Sequence, residues 1–138
     1  MADVFVEHNF RKELLPEMIR RFRPPDRVTP ESMDMVTMTE VFEHLLAPVG
    51  VMRQVAGMLR PGAVAMGTTG WVDKVEGSPK DWWYLKCLSH ATFLSAEGFR
   101  RICAEAGCLG TMYPNTALLK GSTGMSKTQC IFAMQKPL

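Results

Sequence analysis

Two apolar runs of strand length, DMVTMT at 34–39 and AVAMGTT at 63–69, lie on either side of an amphipathic stretch. In that stretch, from 48 to 59, Val51, Met52, Val55, Met58 and Leu59 recur at helical spacing. Arg60-Pro61-Gly62 then ends the helix abruptly. A strand, a helix and a second buried strand in so short a span constrain the fold more than any other part of the chain.

The flanking segments extend the alternation. Val4-Phe5-Val6 is a short β-prone run, and Leu14, Leu15, Met18, Ile19 and Phe22 follow helical spacing until Pro24-Pro25 stops them. Ser95 suits the N-cap of a helix through 106, with Leu94 and Phe99 as a hydrophobic staple. Phe99, Ile102, Cys103 and Ala106 form its inner stripe, and Gly107 suits the left-handed position past its end. Strands are expected at 108–112 and 128–135, with a Gly/Ser/Thr-rich connection between them. The order alternates strand and helix up to a final strand pair. This predicts an α/β fold: a three-layer, Rossmann-like sandwich whose mainly parallel sheet ends in an antiparallel pair.

At 138 residues the chain fits one domain with a single core. A net charge of +2 is too small to imply a nucleic-acid partner. The local cluster Arg20, Arg21, Arg23 and Arg27 reads as a solvated helix face and loop. No apolar run reaches the ~20 residues of a membrane span, and the amino terminus lacks a signal pattern, so a cytoplasmic protein with no membrane attachment is expected. The four cysteines show no metal-binding spacing and read as reduced, buried thiols.

EVFEH, at 40–44, concentrates the chemistry. Glu40, Glu43 and His44 stand three and four positions apart, so one helical turn would set them on one face. Three accounts compete on spacing alone. The first is a solvated helix start whose amino end favours negative charge. The second is a metal site of two carboxylates and an imidazole, a hard set suited to magnesium or manganese. The third, a zinc-hydrolase motif, fails because Glu40 stands where a first histidine is required. Residues 70–89 are irregular and aromatic-rich, with Trp71, Trp82, Trp83 and Tyr84. They read either as a loop packed over the core or as the wall of an apolar pocket.

The stretch DMVTMTEVFEHLLAPVGVMRQVAGMLRPGAVAMGTT resembles the post-nucleotide half of class I S-adenosylmethionine-dependent methyltransferases. The shared pattern is D-x-V-x-x-x-E-V-x-E-H-x-x-x-P, then an amphipathic helix, L-R-P-G and a strand. The likeness continues loosely through SHATFLSAEGFRRICAEAG. It implies one methyltransferase-like domain over 1–138, with a divergent strand and helix at 1–33 and a conventional carboxyl half at 34–138. It further implies cofactor contacts at Glu7, Met38 and Thr39. The family's glycine-rich loop has no counterpart before residue 34, so S-adenosylmethionine is expected to bind weakly or not at all. Ala63 and Ala47 also depart from the family pattern.

Related O-methyltransferases hold a divalent ion at a similar E-x-x-E-H. The resemblance thereby implies Glu40, Glu43, His44 and His90 as ligands, possible magnesium, and His44 or His90 as a base. Trp83 and Tyr84 would line the acceptor side. The leading reading is methyl transfer, chiefly O-methylation, to a small molecule. The alternative is a non-catalytic remnant serving as a binding or subunit-interaction module. With the family's first strand missing, either Val4-Phe5-Val6 covers the edge of strand 34–39 or that edge is open and invites a homo-oligomer or a partner chain.

Overall fold

In the computed structural model, which describes residues 28–115 and 127–138, four strands and two α-helices form a mixed α/β sheet domain. The strands are β1 (Met33–Thr39), β2 (Leu59–Gly70), β3 (Leu109–Pro114) and β4 (Gln129–Gln135). The helices are α1 (Pro48–Met58) and α2 (Ala96–Glu105). The sheet runs β1-β2-β4-β3, with β1 and β2 parallel and the other two pairs antiparallel. The strand expected at 4–6, the helix expected at 14–22 and Glu7 lie outside the described residues, as does most of the connection before β4.

The crossover works as its sequence suggests, with one shift. Pro48 opens α1 at a position that needs no amide donor, and Val51, Met52, Val55, Ala56 and Met58 are buried. The chain turns extended at Leu59, one residue earlier than the helical spacing predicts. Pro61 pushes Arg60 towards extended backbone, and Leu59 pairs with Met33, so β2 takes in the whole Arg60-Pro61-Gly62 breaker. Gly62 accommodates the break at φ +80°.

One face of the sheet holds the core. Gly67, Phe132 and Met112 sit side by side in neighbouring strands, flanked by Ala65 and Met134. Phe42, Phe99 and Phe132 pack ring on ring, with centroids 5.8, 5.4 and 5.2 Å apart. Such pairs contribute about 0.5–1.5 kcal/mol each beyond simple burial. α2 is capped as expected: the Ser95 hydroxyl accepts from the Gly98 amide at 2.9 Å. β1 departs from the sequence reading. It is an edge strand among the described residues, so Met38 is buried while Met35 is 57% exposed. A fully buried strand was expected there.

Candidate functional site

β1 ends at Thr39, and the next residue breaks the backbone. Glu40 has φ +50°, a left-handed conformation uncommon for a residue with a side chain. Its amide still donates to the Thr68 carbonyl at 3.1 Å, extending the parallel ladder by one bond. Phe42–His44 then form a separate 3-10 turn, not the start of α1. The expected helical stacking of Glu40, Glu43 and His44 is therefore absent, because the left-handed backbone at Glu40 separates it from the turn that carries the other two. What fixes the turn is Phe42, fully buried between Phe99 and Phe132.

With Phe42 anchored in the core, Glu43 and His44 meet His90 instead. One ligand atom from each of Glu43, His44 and His90 lies within 4.8 Å of the others. The His44 and His90 rings are 5.0 Å apart. Glu43 is 1% exposed; its Oε2 accepts from the Thr69 hydroxyl at 2.9 Å, and its Oε1 lies 3.9 Å from His44 Nε2. Both imidazoles are held by backbone carbonyls. His44 Nδ1 is 3.0 Å from the Ser89 carbonyl and His90 Nδ1 is 2.8 Å from the Tyr84 carbonyl. A carbonyl only accepts, so each Nδ1 carries a proton, and in the neutral ring each Nε2 presents a lone pair.

Glu40 stays outside that trio. Burial raises its carboxyl above the usual carboxylate range, and the adjacent Glu43 carboxyl adds to this by charge and by a hydrogen bond, while Thr68 and Gln129 act in the opposite sense. Its Oε1 and the Thr68 hydroxyl are buried without an aligned hydrogen bond.

The second wall comes from residues 71–94. Tyr84 is 1% exposed and stacks on Trp82 at 4.9 Å and 21°. Its ring also lies 4.0 Å from that of His90. Gly70 makes this approach possible, since a Cβ there would stand 2.4 Å from Tyr84 Cε1. Burial pushes the Tyr84 hydroxyl well above the usual phenol range. Asp73 pins the segment by accepting from Trp71 Nε1 and from the Ala96 amide. The Glu43 carbonyl accepts from the amides of both Ala91 and Thr92, which joins the segment to the turn.

Of the residues singled out from the sequence, Trp83 is 53% exposed, whereas the Tyr84 side chain is enclosed. Met38 points into the core and Thr39 is exposed at the strand end. Sequence reasoning missed Thr69, Gly70 and Ser89, which hold Glu43, Tyr84 and His44. The one available signal was Thr68-Thr69-Gly70 closing an otherwise apolar strand. The thiols also divide: Cys103, Cys108 and Cys130 are buried, but Cys87 is partly exposed, contrary to expectation.

Comparison with known proteins bears on this arrangement. A family model described as a methyltransferase domain matches residues 3–109. A chain of the Haloferax volcanii complex between the methyltransferase activator Trm112 and a candidate methyltransferase superposes with TM-score 0.60 and 14% identity, over 81% of this chain and 57% of that one. Phosphoethanolamine N-methyltransferase 2 of Haemonchus contortus, bound to phosphomonomethylethanolamine and S-adenosylhomocysteine, gives 0.61 and 15%, over 81% and 35%. A Thermotoga maritima SAM-dependent methyltransferase gives 0.56 and 15%, over 80% and 58%. At these identities the likeness is one of fold. The chain spans between about a third and three fifths of the length of these relatives. Among curated proteins, none matches the sequence. No described helix is long and apolar enough to cross a membrane.

Proposed function

The chain belongs to the methyltransferase-domain family, and we propose that it serves methyl transfer from S-adenosylmethionine to a heteroatom of a small acceptor, chiefly oxygen. The observation that carries this reading is the meeting of Glu43, His44 and His90 beside the carboxyl end of β1, where open α/β sheets bind ligands. The cofactor fits the described residues in part. Thr39 is exposed at the strand end, and Met38, buried by its side chain, would contribute backbone alone. Residues 1–32 contain no glycine, so they supply no glycine-rich cradle ahead of β1. Weak cofactor binding by this chain follows. S-adenosylmethionine, when bound, supplies an electrophilic methyl group.

The histidines have two uses. As bases, His44 or His90 in the neutral form can take the acceptor's proton at Nε2, the atom opposite the carbonyl contact. As ligands, they join Glu43 in a set of two imidazoles and one carboxylate. Donor atoms sharing a divalent ion at about 2.0–2.2 Å stand roughly 3–4 Å from one another, so a small contraction of the trio would suffice. Of the magnesium or manganese that the sequence suggested, this donor set suits manganese and the later first-row ions better than magnesium, because Glu40 lies outside it. Such an ion would supply positive charge favouring a deprotonated acceptor oxygen. Trp83, half exposed on the aromatic segment, would meet the acceptor. The Haloferax relative's complex with an activator supports expecting a partner chain for this one, and the β1 edge, open among the described residues, is where it would pair.

Calorimetric titration of the full chain tests the reading. S-adenosylmethionine should bind with a Kd weaker than micromolar, and Mn2+ should bind independently of it. No heat from S-adenosylmethionine at millimolar concentration would overturn the methyl-transfer reading. Absence of Mn2+, Co2+ and Zn2+ binding would leave the histidines as bases only.

A further inference from the structure

We propose that Thr69 and Tyr84 are positioning residues that hold the Glu43 carboxylate through a one-way hydrogen-bond relay, turning its second oxygen to the histidine pair. Four groups form the relay. The Gly70 amide donates to the Tyr84 hydroxyl oxygen at 3.0 Å. That hydroxyl and the Thr69 hydroxyl are 3.3 Å apart, and Thr69 donates to Glu43 Oε2 at 2.9 Å. Each hydroxyl has one proton, and an ionised carboxylate only accepts. Thr69 therefore spends its proton on Glu43, and the Tyr84 proton points to Thr69. Every proton in the chain has one place to go.

All of these groups are nearly or fully buried: Thr69, Tyr84 and Glu43 are each 1% exposed. A carboxylate so enclosed needs fixed donors, and a relay polarised in one direction strengthens the last bond. Tyr84 also reaches the site by a second route, since its carbonyl receives His90 Nδ1–H at 2.8 Å. One residue of the aromatic segment thus sets two of the three donors. Sequence alone cast Tyr84 as an acceptor contact; its hydroxyl is committed inward instead.

The proposal deepens the ion-site reading and rests on it only where an ion is the probe. Co2+ titration of the full chain, followed by visible absorption, compares wild type, Thr69→Val, Thr69→Ser and Tyr84→Phe. Thr69→Val should weaken Co2+ binding by about tenfold or more, the usual effect of losing an outer partner of a ligand. Thr69→Ser keeps the hydroxyl and should restore it, whereas a merely structural role would not separate the two. Should Thr69→Val fail to fold, Tyr84→Phe carries the same test while keeping the ring stack on Trp82. A second measurement needs no metal: the Glu43 carboxyl carbon resonance in chelator should move in Thr69→Val and Tyr84→Phe and stay in Thr69→Ser. If wild type takes up no Co2+, the ion reading falls and this resonance decides the relay. Unchanged Co2+ affinity, or an unmoved resonance, in both Thr69→Val and Tyr84→Phe overturns the proposal.

Discussion

The turn at 40–44 and the segment at 71–94 meet at one site and are built by opposite rules. The turn is short and takes its position from the strand it follows and from one core residue, Phe42. The segment has little regular structure and is held by side-chain and carbonyl contacts at scattered points: Asp73, Tyr84, Ser89 and Thr92. The turn contributes Glu43 and His44. The segment contributes His90 and orients both imidazoles. A compact motif thus places chemical groups, and a long irregular one decides how they face.

Four experiments press on that contrast. Phe42→Ala should have the largest effect, since it empties a fully buried aromatic position against Phe99 and Phe132. A loss of about 3–5 kcal/mol in urea unfolding is expected; a loss near 1 kcal/mol would mean that the turn is held from elsewhere. Gly70→Ala comes next and strikes the segment. Its new Cβ would press on Tyr84 at 2.4 Å and on Trp82 at 2.9 Å, two stacked rings with little freedom. About 2 kcal/mol should be lost, with the near-ultraviolet aromatic signal altered and the far-ultraviolet helix signal retained. Loss of both signals together would show that the segment is inseparable from the sheet.

Glu40→Gln should do the reverse and stabilise. Folding raises the Glu40 carboxyl's pKa, so the folded chain holds that proton more tightly than the unfolded one. The charged form therefore costs stability as pH rises through the raised value, and nothing is lost below the unfolded range near about 4.3. In chelator, Tm should rise by a few degrees at pH 7, and the gain should vanish below about pH 4. An equal gain at both pH values would assign the effect to packing. The smallest effect concerns thiol chemistry. Hydrogen bonds from Ser89 lower the Cys87 thiol's pKa, whereas burial pushes Cys103 and Cys130 up to about 12. One thiol per folded chain should react quickly with a disulfide reagent, and the other three only on unfolding. Two fast thiols would contradict the burial of Cys103 in α2, of Cys108 before β3 or of Cys130 in β4.

The same contrast explains what was legible beforehand. Periodicity located α1 and α2, and an apolar run located β1, to within a residue or two, because local spacing decides which face of each helix is buried. EVFEH stood out for its composition, and its place at the end of β1 followed from the strand before it. The geometry inside it did not follow. A positive φ at Glu40 has no signature in a glutamate, and helical spacing gave no hint that Glu40 would stand beside Glu43 while His90 completes the cluster. His90 was named through family likeness, since forty-odd residues separate it from His44 and no periodicity connects them. Thr69, Gly70 and Ser89 were invisible for the same reason: their roles arise from tertiary approach, and two of them act through backbone atoms that any residue carries.

The double acceptance at the Glu43 carbonyl, by the amides of Ala91 at 2.7 Å and Thr92 at 3.0 Å, has a consequence in time. Those amides can exchange with solvent only when the aromatic segment lifts from the turn, and lifting it also withdraws His90 and the two carbonyls that orient the imidazoles. Opening of the wall and dismantling of the trio are then one event with one rate. The amides of Gly70, which closes β2, and of Ala91 and Thr92 should lose protection together in deuterium, ahead of the other amides of the β2–β4 ladder. Any ligand seated on the trio would slow all three by the same factor, and so report its own residence through protons it never touches.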